Sequence, residues 1–280
     1  MNNFIVRTIT GVIFVTAIVV SFLNPLAMVF LFSLVTGMTI WEFSGLVSQR
    51  EGVQINQFIS SVAGVFLFLA MAVHCRGLDT LNLAFVPWLV TIIYLLVSEL
   101  YLKAADPIQN WAYTMMSQLY IALPFSLLNV LAFQFTNCDL PWLLPLSVFV
   151  FLWVNDSGAY CCGSLLGRHK LFPRISPGKS WEGSIGGGLL VLLAAWGISY
   201  YTESHAIVTN LTTLEWMGLG LTVVVFGTWG DLIESLFKRT LGIKDSGNVL
   251  PGHGGMLDRF DSSLLAIPAA VVYLFSLALL

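Results

Sequence analysis

Long apolar runs separated by short polar stretches make up most of this chain. Nine of these runs approach the roughly 20 residues that an α-helix needs to cross a bilayer. They lie near residues 8–23, 25–46, 57–75, 82–102, 111–134, 140–160, 183–201, 213–235 and 261–280. The pattern predicts an all-α, polytopic integral membrane protein with about nine transmembrane helices. The first run is interpreted as a span and not as a signal peptide, because no small-residue cleavage site follows it.

The composition supports a membrane protein. Hydrophobic residues make up 57% of the 280 residues, charged residues make up 10%, and the mean hydropathy is +0.86. Soluble domains usually contain about 25% charged residues, so the bilayer must solvate much of this apolar surface. The net charge of -3 and the lack of a basic stripe give no indication of nucleic-acid binding.

The basic residues predict the orientation of the helices. With the N-terminus in the cytoplasm, 11 of the 12 Lys and Arg residues lie on the cytoplasmic side, and only Arg76 lies outside. The cytoplasmic set comprises Arg7, Arg50, Lys103, Arg168, Lys170, Arg174, Lys179, Lys238, Arg239, Lys244 and Arg259. Because cytoplasmic loops are enriched in Lys and Arg, we expect a cytoplasmic N-terminus and an active site that faces the cytoplasm.

The two halves of the chain differ in their polar content. Residues 1–135 contain five spans with few ionisable groups and are expected to form a scaffold with candidate dimer contacts. Glu42 and Glu99 lie near span ends and are interpreted as interfacial or helix-paired groups, with a functional role as the alternative. Residues 136–280 contain two polar stretches, 155–183 and 230–261, and are predicted to form a catalytic domain.

The second polar stretch begins with an acidic residue at the end of an apolar run. If the helix continues, Asp231, Ser235 and Lys238 stand at i, i+4 and i+7 and share one face. A carboxylate in a span is costly unless it meets a metal or a cation. Asp231 is therefore interpreted as a divalent-metal ligand, and an internal Asp–Lys pair that fixes helix packing is the alternative.

A second acidic pair, Asp258 and Asp261, opens the last span with a spacing of three residues. Mg²⁺ is often bound by one or two carboxylates together with substrate phosphates. Asp258 is predicted to be a metal ligand. Asp261 is predicted either to join it or to cap the helix and support the site, since aspartate suits a helix N-terminus.

A glycine-rich loop at residues 251–255 connects these acidic residues. Glycines let backbone N–H groups approach an anion, so Gly254 and Gly255 are predicted to cradle a phosphate. His253 is interpreted as a hydrogen-bond donor to phosphate, with loop packing as the alternative. The flanking cations Lys238, Arg239, Lys244 and Arg259 would neutralise its charge.

The first polar stretch has a similar composition. Asp156 ends an apolar run and is interpreted as a site carboxylate, with a helix-end hydrogen-bond partner as the alternative. Residues 176–180, Ser-Pro-Gly-Lys-Ser, predict a turn with two hydroxyls and a lysine just before a helix start, an arrangement that suits an anion. Ser176, Lys179 and Ser180 are therefore candidate phosphate ligands, although the segment does not satisfy GxxxxGK[ST] and is not a Walker A loop.

These residues resemble a known family, the phosphatidate cytidylyltransferases or CDP-diacylglycerol synthases. The resemblance rests on Ser235-x-Phe237-Lys238-Arg239, Lys244-Asp245-x-Gly247 and Leu250-Pro251-x-His253-Gly254-Gly255-Met256-x-Asp258-Arg259-x-Asp261. Residues 156–160 and 176–183 also resemble this family, so about 120 C-terminal residues are covered. Gly178 and Ser180 stand where relatives often carry Lys and Thr.

The resemblance implies nine membrane helices, a homodimer, CTP and phosphatidate as substrates, and Mg²⁺ as the cofactor. It also implies that Asp231 and Asp258 hold a metal centre, for which K⁺ is an additional candidate ion. Asp231, Asp258, Lys238 and Arg239 are the predicted catalytic residues. The predicted substrate-binding residues are Ser235, Lys179, Ser176, Ser180, Lys244, His253, Gly254, Gly255, Arg259 and Asp156.

Two other functions stay open at this point. One is a CTP-dependent kinase acting on a polyprenol or phytol-like lipid, which would transfer the γ-phosphate. The other is an ion or anion transporter, which buried acidic residues and broken helices would also fit. Transport sites lie near the midplane of the bilayer, whereas these polar stretches are expected at one face. The expected location is a bacterial inner (plasma) membrane, with membrane lipid as a partner and no nucleic acid.

Overall fold

The computed structural model describes residues 3–78, 81–135, 139–207, 209, 211–247, 249 and 254–278, with side chains from Thr8 onward. Its α-helices are α1 Asn3–Phe22, α2 Pro25–Val47, α3 Gln57–Cys75, α4 Val86–Leu102, α5 Pro107–Met116, α6 Leu123–Phe133, α7 Leu143–Leu166, α8 Trp181–Ser204, α9 Thr213–Thr240, α10 Leu257–Phe260 and α11 Ser263–Ala278. A 3-10 turn, Leu83–Phe85, precedes α4, and a π-helical segment, Ser117–Ala122, joins α5 to α6. Two short strands are β1 Lys170–Phe172 and β2 Ser176–Ser180.

The predicted all-α membrane fold is confirmed. Eight helical segments in the described ranges are long and apolar enough to cross a membrane, the longest being Thr213–Thr240. The first predicted span lies within α1, whose described side chains from Thr8 to Phe22 form an apolar helix. Within the described residues, strand is limited to an antiparallel hairpin in which Lys170 pairs with Ser180 and Phe172 with Ser176.

Two local predictions were wrong. The predicted span 140–160 ends too early, because α7 continues to Leu166 and stops only where Gly167 adopts extended backbone. Asp156 therefore lies within a helix and not at its end. Residues 176–180 form a strand and not a turn, although the helix predicted after them begins as expected, at Trp181.

The helices group into two compact units. The N-terminal unit comprises Met1–Gln134 and Thr240–Phe260. Its core includes an aromatic cluster in which the buried ring of Phe260 lies 5.6 Å from Phe14, 6.1 Å from Phe32 and 5.2 Å from Phe125. Ring pairs at such separations stabilise a core beyond their buried area. The late residues 240–260 are thus part of the packing of the early helices.

The C-terminal unit comprises Phe135–Arg239 and Asp261–Leu280. Within it, α7 and α8 approach almost backbone to backbone at a glycine contact. A Cβ atom at Gly183 would lie 2.7 Å from the carbonyl oxygen of Ala159, and one at Gly187 would lie 2.7 Å from that of Asn155. Small residues are used in this way where membrane helices pack closely. The contact fixes Asp156 on α7 relative to the start of α8.

Replacing Gly187 with valine is expected to destabilise the protein, because a Cβ atom there would lie 2.7 Å from both the carbonyl oxygen and the side-chain oxygen of Asn155 on α7. Overpacking of this kind typically costs about 1–3 kcal/mol. Thermal unfolding of the detergent-solubilised protein measures the effect. Gly197→Val on the same helix is the matched control, since a Cβ atom there meets nothing within 4 Å. Equal unfolding temperatures for the two variants would contradict the close contact.

Candidate active site

A polar cavity lies in the C-terminal unit, where α7, β2, the start of α8 and α9 come together. Its volume is about 400 Å³. Two carboxylates, a lysine, an amide and several hydroxyls face it, which is an unusual lining for a unit of membrane helices. The lining residues are Asn155, Asp156, Ala159, Tyr160, Gly178, Lys179, Ser180, Gly183, Ser184, Thr228 and Asp231. The structure therefore brings the first predicted polar stretch together with Asp231, which belongs to the second.

An ion pair crosses this cavity. The Nζ atom of Lys179 lies 2.5 Å from Oδ2 of Asp231, and each side chain is about one quarter exposed (26%). Asp231 does have a lysine partner, as the alternative interpretation allowed, but the partner comes from β2 and not from its own helix. Because both groups remain accessible, an incoming ligand can compete for either of them.

Asp231 also accepts a hydrogen bond from a residue of its own helix and interacts with a third carboxylate, that of Asp261. Its Oδ1 accepts a hydrogen bond from Ser235 Oγ at 3.1 Å, which confirms that these two residues share a face of α9. A Cβ atom at Gly230 would lie 2.7 Å from the carbonyl oxygen of Asp261, so the glycine lets the backbones meet. Asp261 interacts electrostatically with Asp231, Asp156 and Lys179.

The hairpin that presents Lys179 is fixed to the first turn of α8. Glu182 accepts hydrogen bonds from the backbone N–H groups of Arg168 and His169, each at 3.2 Å, and lies 2.6 Å from His169 Nδ1. Trp181 N donates to the carbonyl oxygen of His169 at 2.9 Å. The predicted phosphate ligand Ser180 caps α8, since its Oγ accepts from Gly183 N at 3.2 Å.

The last turns of α9 place the two predicted catalytic cations. Lys238 Nζ lies 2.6 Å from Oε2 of Glu234, whose side chain is fully buried. Such a pair one turn apart compensates a carboxylate that would otherwise be costly in a span. Arg239 Nε donates a long hydrogen bond of 3.5 Å to the carbonyl oxygen of Ile175, next to β2. Lys238 is therefore held by Glu234 at the end of the helix.

The donor chemistry of the cavity fits a hard divalent cation. Asp231 and Asp156 supply carboxylate oxygens to the cavity, and Lys179 already places a positive charge against Asp231. In the part of the chain that the structure describes, no three acidic, His or Cys side chains lie close enough to enclose a metal by themselves. A cation that needs few protein ligands and takes the rest from phosphates, as Mg²⁺ does, is compatible with this set.

The other predicted metal ligand, Asp258, lies in the N-terminal unit, where it links Ser246 to Gly255. Its Oδ2 accepts hydrogen bonds from the backbone N–H groups of Ser246 and Gly255, each at 2.9 Å. Gly254 has a positive φ of 84°, and a Cβ atom there would lie 2.7 Å from the same oxygen. Only glycine fits both the backbone conformation and the space.

Glu42 was interpreted from the sequence as an interfacial or helix-paired group, with a functional role as the alternative, and its surroundings are of another kind. Its side chain is buried on α2, with 9% exposure. The carboxylate accepts from Met256 N at 2.8 Å, from Leu257 N at 3.1 Å and from the Ser246 hydroxyl. An acidic residue within an apolar span was the only available signal, because backbone donors leave no mark in a sequence.

The remaining predicted residues have simpler surroundings. Lys244 and Arg259 are exposed, Ser176 is half-buried at the start of β2, and Gly255 is buried beside Glu42 and Ser246. His253 lies outside the described residues.

Comparison with known proteins gives consistent results over most of the chain. Residues 5–277 match the sequence profile of the cytidylyltransferase family. The chain is 35% identical over 246 residues to a phosphatidate cytidylyltransferase of Haemophilus influenzae, covering 82% of this chain and 83% of that protein. It is 34% identical over 256 residues to one of Staphylococcus haemolyticus, covering 87% and 93% respectively. A match to the Staphylococcus epidermidis protein reaches 46% identity over 125 residues, covering 44% and 45%.

Proposed function

The chain belongs to the cytidylyltransferase family, and from that premise we propose how its residues make CDP-diacylglycerol from CTP and phosphatidate. The enzyme is a phosphatidate cytidylyltransferase, a nucleotidyltransferase of phospholipid biosynthesis. We propose that it requires Mg²⁺, with K⁺ as a further candidate ion, and that Asp231 and Lys179 contact the phosphates of the substrates.

The reaction needs no covalent enzyme intermediate. An oxygen of the phosphatidate phosphate forms a bond to the α-phosphorus of CTP. The bond from that phosphorus to the bridging oxygen breaks, and pyrophosphate leaves with the electron pair. A bound Mg²⁺ would neutralise charge on the nucleotide phosphates. The protein's contribution is to hold both phosphates in line and to neutralise the remaining charge.

The accessible Lys179–Asp231 pair is the observation that carries this proposal. When a nucleotide binds, the two members of this pair would change partners. The ammonium of Lys179 would contact phosphate oxygens, and the carboxylate of Asp231 would hold the cation. The free protein keeps both charges compensated by the same pair. Lys238, Arg239, Lys244 and Arg259 are proposed as additional phosphate partners. Asp258, in the N-terminal unit, is proposed as a metal ligand in its own right.

Purified protein assayed with CTP labelled in its α-phosphate, with phosphatidate in mixed micelles, tests this function and its metal. We expect label in CDP-diacylglycerol and release of pyrophosphate. Chelation of divalent ions should reduce turnover by at least about 100-fold, and added Mg²⁺ should restore it. Turnover that persists at full rate in excess chelator would contradict the metal requirement alone.

The same assay separates the alternatives. A lipid kinase would release CDP and leave the α-phosphate label in the nucleotide when a polyprenol or phytol is supplied. A transporter would move ions across vesicles without consuming CTP. The family membership favours cytidylyl transfer over both.

The proposal extends to the oligomeric state, the location and the membrane orientation of the protein. We propose a homodimer, which the family resemblance implies. We also propose a bacterial inner membrane as the location, with the polar site at the cytoplasmic face. The distribution of Lys and Arg among the loops supports this orientation.

A further inference from the structure

One buried carboxylate in the first half of the chain has a set of partners that the reaction scheme does not use. Glu42 lies near the C-terminal end of α2, and its partners are 204 to 215 residues away in sequence. All of them are in the 244–260 segment, and none of its described hydrogen bonds is to a basic side chain. A carboxylate in a span that is compensated by backbone N–H groups is uncommon enough to need an explanation.

The geometry of these contacts is specific. Met256 N donates to Oε2 at 2.8 Å, while Leu257 N, at 3.1 Å, and the Ser246 hydroxyl donate to Oε1. Met256 is the residue before α10 and Leu257 is its first residue, so Glu42 binds the two N–H groups that open this helical turn. Each donor bonds to one of the two carboxylate oxygens, and together the three hydrogen bonds fix the position and the rotation of this helical turn.

Ser246 connects Glu42 to Asp258. Its hydroxyl donates to Glu42 and accepts from Asp258 N at 3.3 Å, while its backbone N–H donates to Asp258 Oδ2 at 2.9 Å. A side chain at Gly255 would collide with Glu42 and with Ser246. The two carboxylates and the serine thus form one network, and a shift of Glu42 must shift the loop that carries Asp258.

From this network we infer that Glu42 is a positioning residue for the cytidylyl-transfer site. It sets the orientation of residues 254–258 and, through Ser246, the direction of the Asp258 carboxylate. The inference rests on the proposed role of Asp258 in the reaction. Helix α2 lies in the half of the chain that was expected to be a scaffold. The inference gives this helix a part in orienting residues 254–258.

The test replaces Glu42 with glutamine. An amide has one acceptor oxygen and cannot accept from donors on both sides, so at least one of the three contacts must fail. We expect kcat to fall by about 10- to 100-fold, the loss that small misplacements of reacting groups produce. We also expect faster hydrogen–deuterium exchange in peptides covering residues 254–260, with unchanged exchange in α7 and α8.

Glu99→Gln is the matched control. Glu99 is a carboxylate in another N-terminal span and accepts from Asn110 Nδ2 at 3.0 Å, away from the 244–260 segment. This variant should keep wild-type kcat and wild-type exchange in residues 254–260. Ser246→Ala should reproduce a part of the Glu42→Gln effect, and the double variant should lose less than the sum of the two in log kcat, because both act through one network.

Each outcome decides the inference. Wild-type kcat and wild-type exchange in Glu42→Gln would overturn it, as would an equal rise of exchange in every peptide, which is the mark of general destabilisation. If Glu42→Gln does not fold, Ser246→Ala decides alone: faster exchange in residues 254–260 with reduced kcat supports the inference, and wild-type values overturn it. If the wild-type protein does not convert CTP and phosphatidate, the proposed function fails, while the exchange data still decide whether Glu42 positions the loop.

Discussion

Replacing Asp231 with asparagine is expected to lower the rate of CDP-diacylglycerol formation by about 100- to 1000-fold while leaving the protein folded. Asparagine has nearly the same shape and keeps an oxygen for the Ser235 hydroxyl, which lies 3.1 Å from Oδ1. It removes the charge that faces Lys179 at 2.5 Å and that is proposed to bind the cation. Losses of this size are typical when one charge-stabilising group is removed from an active site.

The measurement is turnover of labelled CTP by the purified variant, together with its unfolding temperature. Glu203→Gln is the matched control in the same unit, because Glu203 lies at the other end of α8 and accepts from Ser199 and Thr213, each at 3.1 Å. This control should keep wild-type turnover. An Asp231→Asn protein with near-normal kcat would end the assignment of Asp231 as a metal ligand.

A pair of substitutions at Asp258 is expected to separate its two roles. Asparagine can place its carbonyl oxygen where Oδ2 now accepts from Ser246 N and Gly255 N, so the loop should keep its conformation. Alanine leaves both N–H groups without this acceptor, at a cost of about 1–3 kcal/mol for each group. Both variants should lose at least about 100-fold in turnover, but only Asp258→Ala should unfold at a clearly lower temperature.

Comparing turnover and unfolding temperature between the two variants distinguishes a catalytic role of Asp258 from a structural one. If Asp258→Asn keeps wild-type turnover and Asp258→Ala does not, the carboxylate serves only to organise the loop, and its charge has no part in catalysis. If both variants unfold early, the loop depends on the charge itself, and the hydrogen bonds to Oδ2 are stronger than their geometry alone implies.

The membrane fold could be predicted from the sequence, and so could four residues that line the cavity, Asp156, Lys179, Ser180 and Asp231. Apolar runs of about 20 residues have few alternatives to a membrane-spanning helix. The interaction of Asp231 with Ser235 could also be predicted, because residues four apart share a helix face. The partner of Asp231 could not: Lys179 arrives through a two-stranded hairpin, and short strands with Pro and Gly leave no periodic pattern.

The interpretations of residues 155–160 and of Glu42 were wrong because both depend on contacts that a sequence pattern does not show. Residues 155–160 look like a helix end because polar and small residues cluster there, yet small residues are also what a close helix contact needs, and Gly158 and Gly187 meet at such a contact. Glu42 was interpreted as an interfacial or helix-paired group. Its actual donors are backbone N–H groups, which every non-proline residue has and which sequence patterns therefore cannot single out.

The hydrogen bonds between Glu42 and residues 246–257 also constrain the order in which the protein can fold during its synthesis. At synthesis rates of about 5–20 residues per second, the 204 residues between Glu42 and Ser246 separate the two by about 10–40 s. During that interval α2 enters the bilayer with an acidic group whose final donors have not left the ribosome. The N-terminal unit cannot complete its fold from its own first 134 residues, because Thr240–Phe260 belongs to it. Nascent chains cut short before residue 246 should therefore be substrates for membrane quality-control proteases, even though every one of their helices can insert.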